Sequence, residues 1–195
     1  MIVKQVINST FSSNTFILLE ENCNYCWLVD IGDFQKVVGV MPPNTEVRGL
    51  FLTHTHFDHM YGINELHNAF PNCVVYTSNY GLQALYDDKK NFSRFHETPT
   101  IYEGKEVKVM KDGETYEIFP GIILKSYETP GHCPSCLSFI VDKWFFSGDS
   151  YIPGIKVVTK LPGGNREQAL NSENKIKELS KNMIICPGHG DIIYH

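Results

Sequence analysis

An α/β sandwich is the fold class this sequence predicts, and three observations predict it. Short apolar runs of strand length alternate with stretches of helical spacing along the whole chain. Their order divides into two similar halves. No composition break, low-complexity linker or short-period repeat interrupts that order, so the chain reads as one domain over residues 1–195. With 42% hydrophobic and 20% charged residues, it can bury a core without disulfides or an obligatory structural metal.

The elements follow from local pattern. Ile2 with Val6 and Ile7, then Thr15 to Leu19, then Cys26 to Ile31 read as three strands separated by polar turns. Asp33 to Val40 has the spacing of a brief helix, stopped by Pro42 and Pro43. Glu46 to Thr53 is a β-rich run that ends directly in a cluster of histidines. Met60 to Phe70 carries Ile63, Leu66 and Phe70 on one helical face. Val74 to Thr77 reads as a strand and Asn79 to Phe92 as a helix.

The second half repeats the theme. Glu106 to Met110, Glu114 to Phe119 and Ile122 to Glu128 read as strands, the first two joined in a hairpin at Lys111-Asp112-Gly113. Leu137 to Val141 and Trp144 to Ser147 follow with a tight turn between them. Gln168 to Leu179 is helical, and Met183 to Cys186 is a last strand before Pro187. The stretch Gly81 to Glu106, with Tyr86, Phe92, Phe95 and Tyr102, reads as a packed helix and loop. The alternative is that it folds over a site and shapes substrate choice.

Charge narrows the function classes. A net charge of −5 and a pI near 5.9 give no nucleic-acid or anionic-membrane surface, so the expected partner is a small-molecule substrate. Met1 to Asn8 lacks the apolar core of a signal peptide, and no run approaches the roughly 18 apolar residues of a membrane span. The expected location is therefore the cytoplasm, with the six cysteines mostly reduced. Cys23/Cys26 and Cys133/Cys136 form two C-x-x-C pairs, but more than a hundred residues separate them, too far for a zinc ribbon. Cys73 and Cys186 sit in apolar runs and read as core.

The chemistry is concentrated in Thr53-His54-Thr55-His56-Phe57-Asp58-His59. On a helix these side chains would spread around most of the circumference. On a loop leaving the end of a strand they can face two adjacent ions. His132 in Pro130-Gly131-His132, Asp149 in Gly148-Asp149 and His189 in Gly188-His189-Gly190 each follow a strand in the same way. Imidazole and carboxylate suit divalent zinc, iron or manganese, and a carboxylate such as Asp149 can bridge two ions. His67, His96 and His195 lack that setting and read as solvated or packed.

His54-Thr-His56-Phe-Asp58-His59-Met-Tyr-Gly62 resembles the signature loop of the metallo-β-lactamase superfamily, and His132, Asp149 and His189 match its later motifs in order. The resemblance implies a four-layer αββα sandwich with metals at one edge between two sheets. It assigns His54, His56 and His132 to a first ion, Asp58, His59 and His189 to a second, and Asp149 to both. Two divalent ions are implied, Zn²⁺ first, with iron or manganese as alternatives. Asp58 could also accept a proton from the attacking water. Trp27-Leu-Val-Asp30 resembles the family's early Asp motif, which supports the metal loop.

Within that family the context is similar to glyoxalase II, a thioester hydrolase acting on hydroxyacyl-glutathione. The sequence ends six residues after His189, as in a short form lacking the C-terminal helical domain, and Cys133 and Cys136 stand where Thr and Ser are usual. The resemblance therefore implies metal-dependent hydrolysis of a thioester or similar ester by a hydroxide held between two ions, with Tyr151 as a candidate oxyanion donor or a packing aromatic. Alternatives are a mononuclear iron oxygenase similar to persulfide dioxygenases, which Cys133 and Cys136 would suit, and a lactonase. A binding module with purely structural zinc is disfavoured, because seven donors exceed one closed site. Oligomeric state is left open.

Overall fold

The computed structural model describes residues 1–194, so His195 lies outside the described residues. Two sheets form the body. The first contains β1 (Ile2–Ile7), β2 (Asn14–Leu19), β3 (Tyr25–Val29), β4 (Glu46–Phe51), β5 (Val74–Thr77) and β6 (Val107–Val109), in that spatial order. The second contains β7 (Thr115–Phe119), β8 (Ile122–Glu128), β9 (Leu137–Val141), β10 (Trp144–Gly148) and β11 (Ile184–Pro187), also in sequence order. Four α-helices cover them: α1 (Phe34–Val40), α2 (Ile63–Ala69), α3 (Asn79–Ala84) and α4 (Arg166–Leu179). This is the αββα sandwich expected from the sequence. Among the described residues no helix is long and apolar enough to cross a membrane.

Burial explains why the central strands read as continuous apolar runs. In β2, Phe16 and Leu18 point between the sheets, where they join Trp27, Phe51, Phe139 and Phe146. Ile17 and Leu19 point the other way, toward Val37, Ile63 and Leu66 of α1 and α2. Every residue of β2 is buried, because both faces of its sheet are covered. The second sheet repeats this in part. Trp144 and Phe146 face the inter-sheet core, while Phe145 between them is also fully buried. Asn165 caps α4 by accepting from Gln168 N at 3.0 Å, which starts the helix two residues before the expected Gln168.

Two expectations are corrected. Lys111-Asp112-Gly113 does not close a hairpin: β6 pairs with β5 in the first sheet, while β7 pairs with β8 in the second. Gly113, at φ +76°, instead lets the chain cross between sheets, with its N–H bound to Ser126 O at 2.8 Å. The turn residues of a hairpin and of a crossover are the same, so local sequence could not separate them. The helix expected over Asn79–Phe92 also stops at Ala84. Asn91 Nδ2 donates to Ala84 O and to Thr100 O, taking the helix-end carbonyl, and Phe92 then turns left-handed at φ 62°.

Candidate metal centre

Every candidate donor leaves the C-terminal end of a strand at one edge of the sandwich. His54, His56, Asp58 and His59 follow β4, and a 3-10 turn over Phe57–His59 splays the last of them. His132 follows β8, Asp149 follows β10 and His189 follows β11. The loops are tied together by side chains the sequence reading missed. Ser13 Oγ donates to Asp58 O at 2.7 Å, and Asn14 Nδ2 donates to Pro187 O at 2.9 Å and Gly190 O at 2.8 Å. Buried Ser and Asn give no sequence signal of such a role.

The seven donors fall into three compact groups. His54, His56 and His132 form one; Asp58, His59 and His189 form another; His54, His59 and Asp149 form a third that connects them. Asp149 stands between, with Oδ1 3.6 Å from His59 Nε2, and Oδ2 3.6 Å from His132 Nε2 and 3.4 Å from His189 Nε2. Asp58 Oδ2 lies 3.3 Å from Nε2 of both His59 and His189. Gly188 permits this approach, because a Cβ there would overlap Asp149 Oδ1.

Hydrogen bonding on the far side of each ring decides what these nitrogens can do. His132 Nδ1 donates to Val158 O at 2.8 Å, and His189 Nδ1 donates to Phe11 O at 3.0 Å. His59 Nδ1 donates to Asp30 Oδ2 at 2.9 Å. The Thr53 hydroxyl donates to Asp30 Oδ2, so its oxygen accepts from His54 Nδ1 at 3.1 Å. In the neutral imidazoles, four Nε2 lone pairs therefore point inward. Yet His59 Nε2 and His189 Nε2 are 3.3 Å apart, and His132 Nε2 is 2.9 Å from His56 Nδ1. The His59–His189 contact needs a proton or a metal cation between its two nitrogens, and the His132–His56 contact needs the same or a proton on His56 Nδ1. His54 Nε2, His56 Nε2 and Asp149 Oδ1 are also buried without any hydrogen-bond partner. The donor set fits divalent ions.

The electrostatics agree. Burial works against the charged forms of Asp58 and Asp149, but His59 and His189 hold both carboxyls below the usual carboxylate range. Burial opposes a proton on His189 too, yet Asp149 and Asp58 raise its pKa to about 10. The same carboxylates raise His59, whereas burial and the neighbouring imidazoles keep His54 well below the ordinary histidine value. Carboxylates and imidazoles thus shift one another in a buried cluster of opposite charges, where a divalent cation would take the place of the imidazole protons.

A cavity of about 930 Å³ opens above the cluster, with His56, Asp58, His132, Asp149 and His189 on its floor. Its walls include Phe11, Phe57 and His96, which the sequence reading did not place at the site, and Phe92 and Phe95, which fall in the Gly81 to Glu106 stretch whose alternative reading was to fold over a site. His96 stacks on Phe57 at 3.9 Å between ring centroids, so it is packed, as expected, but on the cavity wall. His67 packs on Tyr102, away from it. Tyr151 is not among the lining residues: its ring lies 5.6 Å from Lys177 Nζ of α4 and its carbonyl accepts from Ser147 Oγ. Of the two roles the sequence offered for Tyr151, these contacts fit the packing aromatic. Cys133 and Cys136 are buried free thiols with sulfurs 3.4 Å apart; Cys73 and Cys186 are core.

Comparison with known proteins places this geometry. The chain superposes on the B3 metallo-beta-lactamase BLEG-1 with a TM-score of 0.88 at 24% identity, covering 98% of this chain and 93% of that one. TTHA1623, solved in a di-iron-bound form, gives 0.79 at 23% identity, over 98% and 94%. ETHE1 from Myxococcus xanthus gives 0.72 at 19%, over 98% and 76%. These likenesses establish the fold. The profile of the Metallo-beta-lactamase superfamily matches residues 12–189, a span that runs from the turn before β2 to the last histidine of the cluster, and the chain belongs to that superfamily.

Proposed function

We propose that this protein is a metal-dependent hydrolase that cleaves a thioester or a similar small-molecule ester, in the manner of glyoxalase II. The observation that carries the reading is the convergence of seven imidazole and carboxylate groups, in three compact sets, at the floor of an open cavity. His54, His56 and His132 would hold one ion, Asp58, His59 and His189 a second, and Asp149 would serve both. Divalent ions bound there would supply Lewis acidity toward a carbonyl oxygen and lower the pKa of water toward neutrality. Zinc suits the donors, and so does iron, which the related TTHA1623 holds as a pair.

The chain's own groups do the rest. The cavity presents a carbonyl carbon to the floor, and Asp58, held as a carboxylate, accepts the proton of the attacking water. His59 and His189 are fixed by Asp30 and by Phe11 O, so the floor does not reorganise during reaction. A thiol has a pKa near 8.5, so a thiolate leaves with little need of protonation, which suits a floor with no separate acid.

Elemental analysis of freshly purified protein, followed by a panel of thioesters, lactones, β-lactams and persulfides, tests this reading. The expected result is about two metal ions per chain, thioester cleavage, and loss of both metal and rate in His54→Ala. Full activity in metal-free protein would overturn it, and a single iron with oxygen uptake would replace it with a dioxygenase.

A further inference from the structure

We propose that the cavity above the cluster is an acyl pocket, built for a thioester or ester whose acyl group is a hydrocarbon chain or ring rather than a small hydroxyacyl group. This rests on the hydrolase reading above and narrows it. Phe11, Phe57, Phe92, Phe95, Val158 and Leu161 line the cavity. Four of them would be unusual on an ordinary surface: Phe11 is 68% exposed, Phe95 76%, Val158 52% and Leu161 42%. Large apolar side chains left in water singly are common, but four around one cleft mark a place where a ligand removes them from water.

Backbone strain is the second, independent observation. Among the described non-glycine residues with positive φ, Phe11 (φ 52°) and Phe92 (φ 62°) are the two aromatic ones, and both line this cavity. A left-handed conformation is unfavourable for a residue with a Cβ. Surrounding contacts enforce it here. Phe11 O receives the His189 N–H, and the Phe92 ring lies 5.0 Å from the His56 ring. Two left-handed turns therefore bring the Phe11 carbonyl onto His189 and the Phe92 ring beside His56, while the Phe11 ring lies 5.9 Å from the His96 ring on the wall. A volume of about 930 Å³ exceeds what a two-carbon or three-carbon acyl group would fill, and apolar side chains make up most of the walls, with Lys89 and Arg94 as their cationic members and Arg94 paired to Asp88 at 3.4 Å.

The chemistry stays balanced: the oxygen of water bonds to the acyl carbon as the carbon–sulfur bond breaks, so the acyl group leaves as the acid and the sulfur leaves as a thiolate that takes up the remaining proton of water. Only the nature of the acyl group is new. The test uses metal-replete protein and thioesters of one thiol, N-acetylcysteamine, with acetyl, butyryl, hexanoyl and octanoyl groups. Their non-hydrolysable ketone analogues, with CH₂ in place of sulfur, serve in a separate binding titration. Each buried methylene is expected to raise kcat/KM and ketone affinity about threefold until the cavity is filled. Phe95→Ala and Leu161→Ala, both at exposed positions that should not disturb folding, are expected to lower the octanoyl-to-acetyl ratio about tenfold when combined. Cleavage without chain-length dependence, or preference for a lactoyl over a hexanoyl thioester, would overturn the pocket while leaving the hydrolase intact. Chain-length-dependent ketone binding without cleavage of any thioester would uphold the pocket and remove the hydrolase reading.

Discussion

Asp30 holds His59 by a buried 2.9 Å contact between Oδ2 and Nδ1, and the two residues lie in loops that follow different strands. Asp30 follows β3 with a left-handed backbone (φ 57°), while His59 ends the 3-10 turn after β4. The same carboxylate accepts from Thr53 N and Thr53 Oγ1, each at 2.7 Å, so it organises both ends of the histidine loop. Burial raises its pKa, and the bonds from His59 and Thr53 oppose that rise. One carboxylate thus sets which nitrogen of His59, and through Thr53 which nitrogen of His54, faces the cluster.

Asp30→Asn should therefore weaken metal binding without touching a donor. The amide would turn an N–H toward one of three donors, leaving it unsatisfied in the interior. Loss of such a supporting partner typically lowers metal affinity about 10–100-fold. Competition with a chelator of known affinity measures this directly, and circular dichroism reports whether the fold persists. Unchanged retention of metal would show that Asp30 serves only packing.

Gly188→Ala should empty the site by a different route. Its added Cβ would overlap Asp149 Oδ1 and crowd His59 Cε1, while the backbone there is not left-handed. The expected result is a folded protein with substantially less than the wild-type metal content by elemental analysis. Gly39→Ala is the matched control. Nothing lies within 4 Å of a Cβ at that position in α1, so stability should rise by about 0.5–1 kcal/mol with metal content unchanged. Equal metal loss in both variants would refute the steric argument.

The site's floor was readable in the sequence, and its walls only in part, through the alternative that Gly81 to Glu106 folds over a site. His54 to His59, His132, Asp149 and His189 announce themselves because donor-type residues directly follow runs of strand character, and strand ends share an edge of a sandwich. Phe11 and Phe92 reach the cavity only through left-handed backbone at residues that carry no glycine-like signal. The crossing at Gly113 looked like a hairpin because pairing partners are chosen by tertiary packing, not by the turn. Tyr151 stands two residues from Asp149 in sequence, but its ring turns toward Lys177 instead. Proximity along the chain after a strand end says little once the backbone has turned.

Asp33 gives the fold a predictable dependence on acid. Its carboxylate accepts from Ser9 N at 2.8 Å, Ser9 Oγ at 2.7 Å and Tyr61 OH at 2.6 Å, and pairs with Lys36 Nζ at 2.6 Å. These bonds pin the loop after β1 to the turn that leads into α2. Burial alone would raise its pKa, but Lys36, Tyr61 and Ser9 hold it well below the usual carboxylate range. A folded-state pKa below the unfolded value of about 3.9 means a stabilising contribution that is fully present above that pH. It is lost as pH falls through the folded value. Asp33→Asn should thus cost about 2 kcal/mol near pH 7, and the gap to wild type should narrow below about pH 4. Urea denaturation of both proteins at pH 7, 5 and 3 measures it, and a gap that stays constant down to pH 3 would show that the charge on Asp33 contributes nothing.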